Sequence, residues 1–221
     1  MPFTMTHLII AKNVSEVLSN RIGDFPQFYL GSIAPDAAHY RDNYISDYKK
    51  DSHLCVSDEK WGLITNNDEW INNVTVFPCK YIDAVNKDFI LGYCAHILSD
   101  IYNNINVWTP FRLRYSDELV KGYGNLHHQE SNKIDINFGL EYEHKDEFWR
   151  CLSESTGIDI QGIIYAAEME KQKDRILNEW YRGKVRQDVS SNKIVTPESI
   201  MEFIDKATDY VIDTFRKHIT I

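Results

Sequence analysis

Five side chains in the first hundred residues have the chemistry of metal ligands: His7, Asp36, His53, His96 and Asp100. The last two share the run Phe89-Ile-Leu-Gly-Tyr-Cys-Ala-His96-Ile-Leu-Ser-Asp100. At about 100° per residue their spacing sets an imidazole and a carboxylate one turn apart on one helical stripe. Leu91, Cys94, Ile97, Leu98 and Ile101 cover most of the remaining circumference, which is the pattern of a buried helix. Ionisable groups there are costly unless something satisfies them. Either they pair with each other or a neighbour, or they hold a metal. Three imidazoles and two carboxylates together are the donor chemistry of zinc. The competing reading is a helical interaction protein in which all five are buried hydrogen-bonded pairs.

The elements that must carry these residues are helical. Residues 4–20 have helical apolar spacing (Leu8, Ile9, Ala11, Val14, Val17, Leu18), with Thr4 or Thr6 as cap and His7 in the first turn. Residues 26–34 form a short apolar helix stopped by Pro35, which leaves Asp36 on a loop. Residues 37–60 are a long polar connection with His39 exposed and His53 anchored by its apolar neighbour. Helices follow at 67–85, with a break at Pro78, and at 87–104. Trp108-Thr-Pro110 opens a short element, and Gly122 to Asn125 make a turn. Residues 127–140 begin a helix bearing Glu130 and Asp135. Helices at 144–154, from 159 to 182 with Gly183 as stop, and after Thr196-Pro197-Glu198 complete the chain. Strand alternation is nowhere sustained. The class is all-α: one domain over 1–221, with the metal-site half at 1–140 and a helical wall at 141–221.

Composition limits the partners. A formal net charge of −9 argues against nucleic acid, which demands clustered Lys and Arg, and disfavours an anionic membrane surface. No run approaches the ~18 apolar residues of a membrane span, and the first residues lack the basic and apolar regions of a signal peptide. A cytoplasmic protein with four scattered, reduced cysteines is expected. Phe28-x-Leu30-Gly31-x-x-Ala34 is echoed by Phe89-x-Leu91-Gly92-x-x-Ala95, as if two helices used a Gly and an Ala for close packing.

Thr6-His7-x-x-Ile-Ala, Phe28-x-Leu-Gly-Ser-Ile-Ala-Pro-Asp36, Ser52-His53-Leu and Phe89-x-Leu-Gly-Tyr-x-x-His96-x-x-x-Asp100 occur in this order. Together they resemble the zinc-dependent phospholipase C family, in its intracellular branch, which shares an all-helical fold with the P1-type zinc nucleases. The resemblance covers residues 5–104 strongly and 105–140 weakly. It implies that Asp36, His53, His96 and Asp100 ligate one zinc, that His7 and Asp100 ligate a second, and that Asp100 bridges them. In the family the second zinc also takes the processed first residue, whereas here the chain starts six residues before His7. Asn106 stands where a further His would serve a third zinc, and His127, His128 and Glu130 contain no His-x-x-x-Glu pair. One or two Zn2+ are therefore expected. Glu130 is expected to face the metals, and Asp36, Asp100 and Glu130 to be catalytic. Tyr40, Tyr44 and Trp108 are candidates for the cleft wall. The implied activity is hydrolysis of a small phosphorylated substrate, a phosphodiester, phosphomonoester or phospholipid, by zinc-activated water. The alternative is a non-catalytic metal-containing module that binds a phosphorylated ligand.

Overall fold

The computed structural model describes residues 3–55, 58–81 and 84–219. Among them the chain is all-α, with no strand beyond an isolated bridge between Ile160 and Ile164. Helix α1 (Thr4–Val17) is followed by α2 (Phe25–Gly31), a 3-10 turn over Ala34–Tyr40, and α3 (Ser46–Ser52). Next come α4 (Asn67–Tyr81) and α5 (Lys87–Asn103), which runs into a π-helical turn at Asn104–Trp108. Short helices α6 (Thr109–Arg114) and α7 (Ser116–Leu119) lead to α8 (Tyr123–Glu141) and α9 (Lys145–Glu154). Helix α10 (Ala166–Arg175), a second π turn at Ile176–Trp180, and α11 (Pro197–His218) complete the order.

The centre is the crossing of α2 and α5, the most extensive contact between two helices. Their starts are tied together. Asp88 accepts the backbone N–H groups of Gly23 at 3.0 Å and Asp24 at 2.7 Å, and Asn86, the cap of α5, donates to Asp24 at 3.0 Å. The two echoed glycines then each face the other helix's backbone. A Cβ on Gly31 would lie 2.1 Å from the Phe89 carbonyl oxygen, and one on Gly92 would lie 2.0 Å from that of Phe28. Close backbone approach is what glycine permits there. Helices α1, α4 and α11 pack around α5, and α11 buries Phe203, Ile204, Ala207, Val211, Ile212 and Phe215, with Ile200 of the same apolar stripe only partly buried.

Several local expectations are corrected. Phe3, not Thr4 or Thr6, is the N-cap of α1, and no side chain caps it. The first-turn N–H groups need an acceptor, and Asp135 on α8 supplies one at 2.8 Å from the Met5 nitrogen. Pro35 does not merely stop a helix; it opens the 3-10 turn that carries Asp36, because proline suits a first helical position. Pro78 lies inside α4 without ending it. The Val74 carbonyl that its missing N–H leaves unpaired accepts from the Cys94 thiol at 3.7 Å. The expected end of that helix at 82–85 falls partly outside the described residues. The connection at 37–60 contains α3 and much of the 3-10 turn, and residues 159–165 form a bridged turn rather than the start of a helix.

Asp135 also accepts from the Tyr181 hydroxyl at 2.7 Å, and burial pushes its pKa up to about 6. That lies above the value of about 3.9 in an unfolded chain, so the folded state holds this proton more tightly. The contribution is full below pH ~3.9 and is lost as pH rises through ~6. Asp135→Ala is expected to cost about 2 kcal/mol through the orphaned partners. The wild-type advantage should be larger at pH 4.5 than at pH 7.5, by about 2 kcal/mol, in paired denaturant titrations.

Candidate metal centre

His96 and Asp100 come from the C-terminal half of α5, His7 from α1, Asp36 from the 3-10 turn and His53 from the residue after α3. All five expected ligands meet at one place. The His53 and His96 Nε2 atoms are 3.3 Å apart, and His53 Nε2 lies 3.5 Å from Asp36 Oδ1 and 3.4 Å from Asp100 Oδ2. His7 Nε2 is 3.7 Å from Asp100 Oδ1, and its ring stacks on that of His96 at 3.7 Å between centroids. His96 Nε2 lies 4.0 Å from Asp36 Oδ2. The histidines and Asp100 are buried, while Asp36 keeps a side-chain exposure of 25%.

The hydrogen bonds on the far side of each ring decide its tautomer. His96 Nδ1–H donates to the Ser32 carbonyl at 2.8 Å, and His53 Nδ1–H donates to the Lys49 carbonyl at 2.9 Å. Ser99 donates its hydroxyl proton to the His96 carbonyl at 2.7 Å, so its oxygen accepts from His7 Nδ1–H at 3.0 Å. Each Nδ1 is thus assigned the proton from the network, and each Nε2 turns a lone pair into the cluster. Such outer hydrogen bonds orient metal-binding imidazoles. Backbone anchors fix the His53 segment further. The Tyr93 hydroxyl donates to the Ser52 carbonyl, and Trp70 Nε1 donates to the His53 carbonyl at 2.7 Å.

Among the described residues nothing satisfies the centre of this cluster. His7 Nε2 and both Asp100 oxygens are buried without a hydrogen-bond partner, and two Nε2 lone pairs 3.3 Å apart repel. A cation resolves both problems. Tetrahedral zinc with bonds of about 2.0–2.1 Å separates its ligands by about 3.3–3.4 Å, which is the spacing found around His53. Two overlapping sets fit an ion: Asp36, His53 and His96, and His7, His96 and Asp100. Asp100 also turns one oxygen to each set, the placement a bridging carboxylate needs.

Electrostatics agree. Burial, then the neighbouring His96, holds His7 well below the ordinary imidazole range, and burial lowers His96 too, so both stay neutral and able to ligate. Burial opposes ionisation of Asp36, but the Lys49 ammonium overrides it and holds the carboxyl well below the usual carboxylate range. Asp100, despite its burial, is also held below that range in its place beside His53, His96 and His7.

The cluster lies at the wall of a cleft of about 920 Å³. Tyr40 and Trp108 line it as expected; Tyr44 is not among its described lining residues, and Trp61, Trp70 and Trp180 are. Asp36 and Asp100 are the only carboxylates among those residues, although the chain has 33 acidic side chains, and Lys49 and Arg175 face the same space. The buried Lys49 ammonium is 2.9 Å from Asp36 Oδ1 and donates to His39 Nε2 at 3.3 Å. His39 is exposed, as expected, although Lys49 holds its ring.

Glu130 does not face the cluster. Its carboxylate is buried and accepts the backbone N–H groups of Lys193 at 2.7 Å, Ile194 at 2.8 Å and Val195 at 2.9 Å. It secures the approach to α11, and its expected catalytic role is withdrawn. Asp135 fixes the start of α1, as described above. A backbone ligand from the first residue lies outside the described residues. Lys49, Arg175 and Ser99 were not singled out from the sequence; Ser99, three residues after His96 on the same helix, had a spacing signal, whereas the two cations looked like solvated charges. Comparison with protein-family models, curated proteins and solved structures returns no match.

Proposed function

We propose that this protein is a zinc-dependent phosphoric ester hydrolase of phospholipase C-like fold, acting in the cytoplasm on a small phosphorylated substrate. The observation that carries the reading is the convergence of three imidazole lone pairs and two carboxylates on a spot where buried acceptors lack any donor. No helix among the described residues is long and apolar enough to cross a membrane. The cleft favours an anion, since its carboxylates belong to the ligand cluster and its other charges are cationic.

Asp36, His53, His96 and Asp100 would hold one zinc, and His7 with Asp100 a second. When bound, zinc makes water nucleophilic near neutral pH and offsets phosphoryl charge. The chain's own groups do the rest. Asp36, the least buried of the five, is placed to orient the attacking water and accept its proton. Lys49 sets an ammonium beside Asp36, where it stabilises a phosphoryl oxygen. The Nδ1 contacts to Ser32, Lys49 and Ser99 hold the imidazoles in place, so little reorganisation accompanies reaction. Trp61 and Trp108 line the cleft.

The test is phosphate or alcohol release from a panel of phosphomonoesters and phosphodiesters, with and without chelator. Turnover abolished by chelator and restored by zinc is expected. Tightly held zinc with no chelator-sensitive turnover on any ester would instead identify a binding module for a phosphorylated ligand.

A further inference from the structure

Arg175 is the last residue of α10 and lines the cleft together with Lys49. Its guanidinium carbon lies 4.9 Å from the Trp180 ring centroid and 5.9 Å from that of Tyr40. Trp180 lies five positions after Arg175. In an α-helix that spacing turns two side chains about 140° apart. The π turn at Ile176–Trp180 closes on i to i+5 instead, and so returns the indole beside the guanidinium. Single π turns concentrate at functional sites.

The arginine has cationic company but no carboxylate partner among the described residues, despite the acidic balance of the chain. It also borders a second recess of about 460 Å³ that shares Phe3, His128, Arg175 and Trp180 with the main cleft. Lys184 and Asn132 add donors there, against one carboxylate, Glu179, which forms no ion pair with Arg175. A guanidinium packed against rings keeps its N–H edge for bidentate contact with a carboxylate or phosphate. Its position relative to the metal centre is fixed, because Gln172 on α10 donates to the Ile33 carbonyl at 3.1 Å, immediately before the turn that carries Asp36.

We propose that Arg175 and the recess beside it bind a second anionic group of the substrate, so that the substrate carries one phosphate ester at the cluster and another phosphate or a carboxylate at Arg175. This specificity assignment rests on the phosphate-ester reading above.

The experiment uses the zinc-loaded protein and three matched series of probes: alkyl monophosphates, alkanediol bisphosphates and ω-carboxyalkyl phosphates of two to six carbons. Binding is measured by calorimetry and turnover by phosphate release. At the best chain length, at least one dianionic series should bind about tenfold or more tightly than its monophosphate, as expected for one charge-assisted hydrogen-bonded pair. Which series does so tells phosphate from carboxylate. Arg175→Ala should remove that preference, weakening the favoured dianionic series about tenfold more than the monophosphates, and Arg175→Lys should recover part of it. Equal binding of all series by the wild type, or equal weakening of all series in Arg175→Ala, would overturn the proposal. An Arg175-dependent preference with no turnover would defeat the hydrolase reading and keep the subsite; turnover without preference would do the reverse.

Discussion

Gly92→Ala is expected to lower stability by about 3 kcal/mol or more, the upper range for overpacking a tight contact. The added methyl would sit 2.0 Å from the Phe28 carbonyl oxygen and 2.9 Å from the Ser32 nitrogen. Both are backbone atoms, so no rotamer change makes room, and α2 and α5 must separate. Separation strains the metal centre as well, since the Ser32 carbonyl that orients His96 lies at the same crossing. For a chain of this size the loss corresponds to about 6–12 °C in Tm, with weakened metal binding. Gly124→Ala is the control: its methyl would meet nothing closer than 3.8 Å, and replacing a helical glycine there should leave Tm unchanged or raise it slightly. A melt of Gly92→Ala within 2 °C of wild type would show that the glycine pair does not set the crossing.

Asp100→Ala should have the largest effect on function. This carboxylate faces both ligand sets, so its removal takes a donor from each. On the proposed zinc-dependent reading, hydrolysis should fall about 1000-fold or more, since several kcal/mol of charge stabilisation would depend on the metals. The chelator-resistant metal should fall with it. Glu130→Gln is the informative contrast. Its backbone bonds lie at residues 193–195, so metal content and turnover should stay at wild-type levels while stability drops by about 1–2 kcal/mol. A large loss of turnover in Glu130→Gln at full metal content would restore Glu130 to the reaction.

What could be read from the residues was whatever depended on local pattern. The apolar circumference around His96 and Asp100 specifies a buried helix, and Thr196-Pro197 specifies the start of α11, because periodicity and capping act over a few residues. The echoed glycines were legible as close packing, and each proves to sit against the backbone of the other's helix. Asp36 was misplaced onto a loop because Pro35 ends helices as readily as it begins them. The bridged turn at 159–165 was hidden by apolar residues, Ile160, Ile163 and Ile164, that suit a helix equally well. Lys49 and Arg175 were illegible for a different reason. A lone cation in a polar run has no periodicity, and its meaning comes from partners distant in sequence, Asp36 and His39 for one, Tyr40 and Trp180 for the other. Glu130 was assigned by resemblance alone, and the contact that claims it lies about sixty residues further along the chain.

The central claim is that the five residues form a metal centre, and zinc titration of the chelator-stripped protein tests it most directly. One or two equivalents held tightly at neutral pH are expected, with little proton release from His7 and His96, which burial keeps neutral, and with tight binding lost in His96→Ala. Less than one equivalent bound, or a stoichiometry and affinity unchanged by His96→Ala, would contradict it.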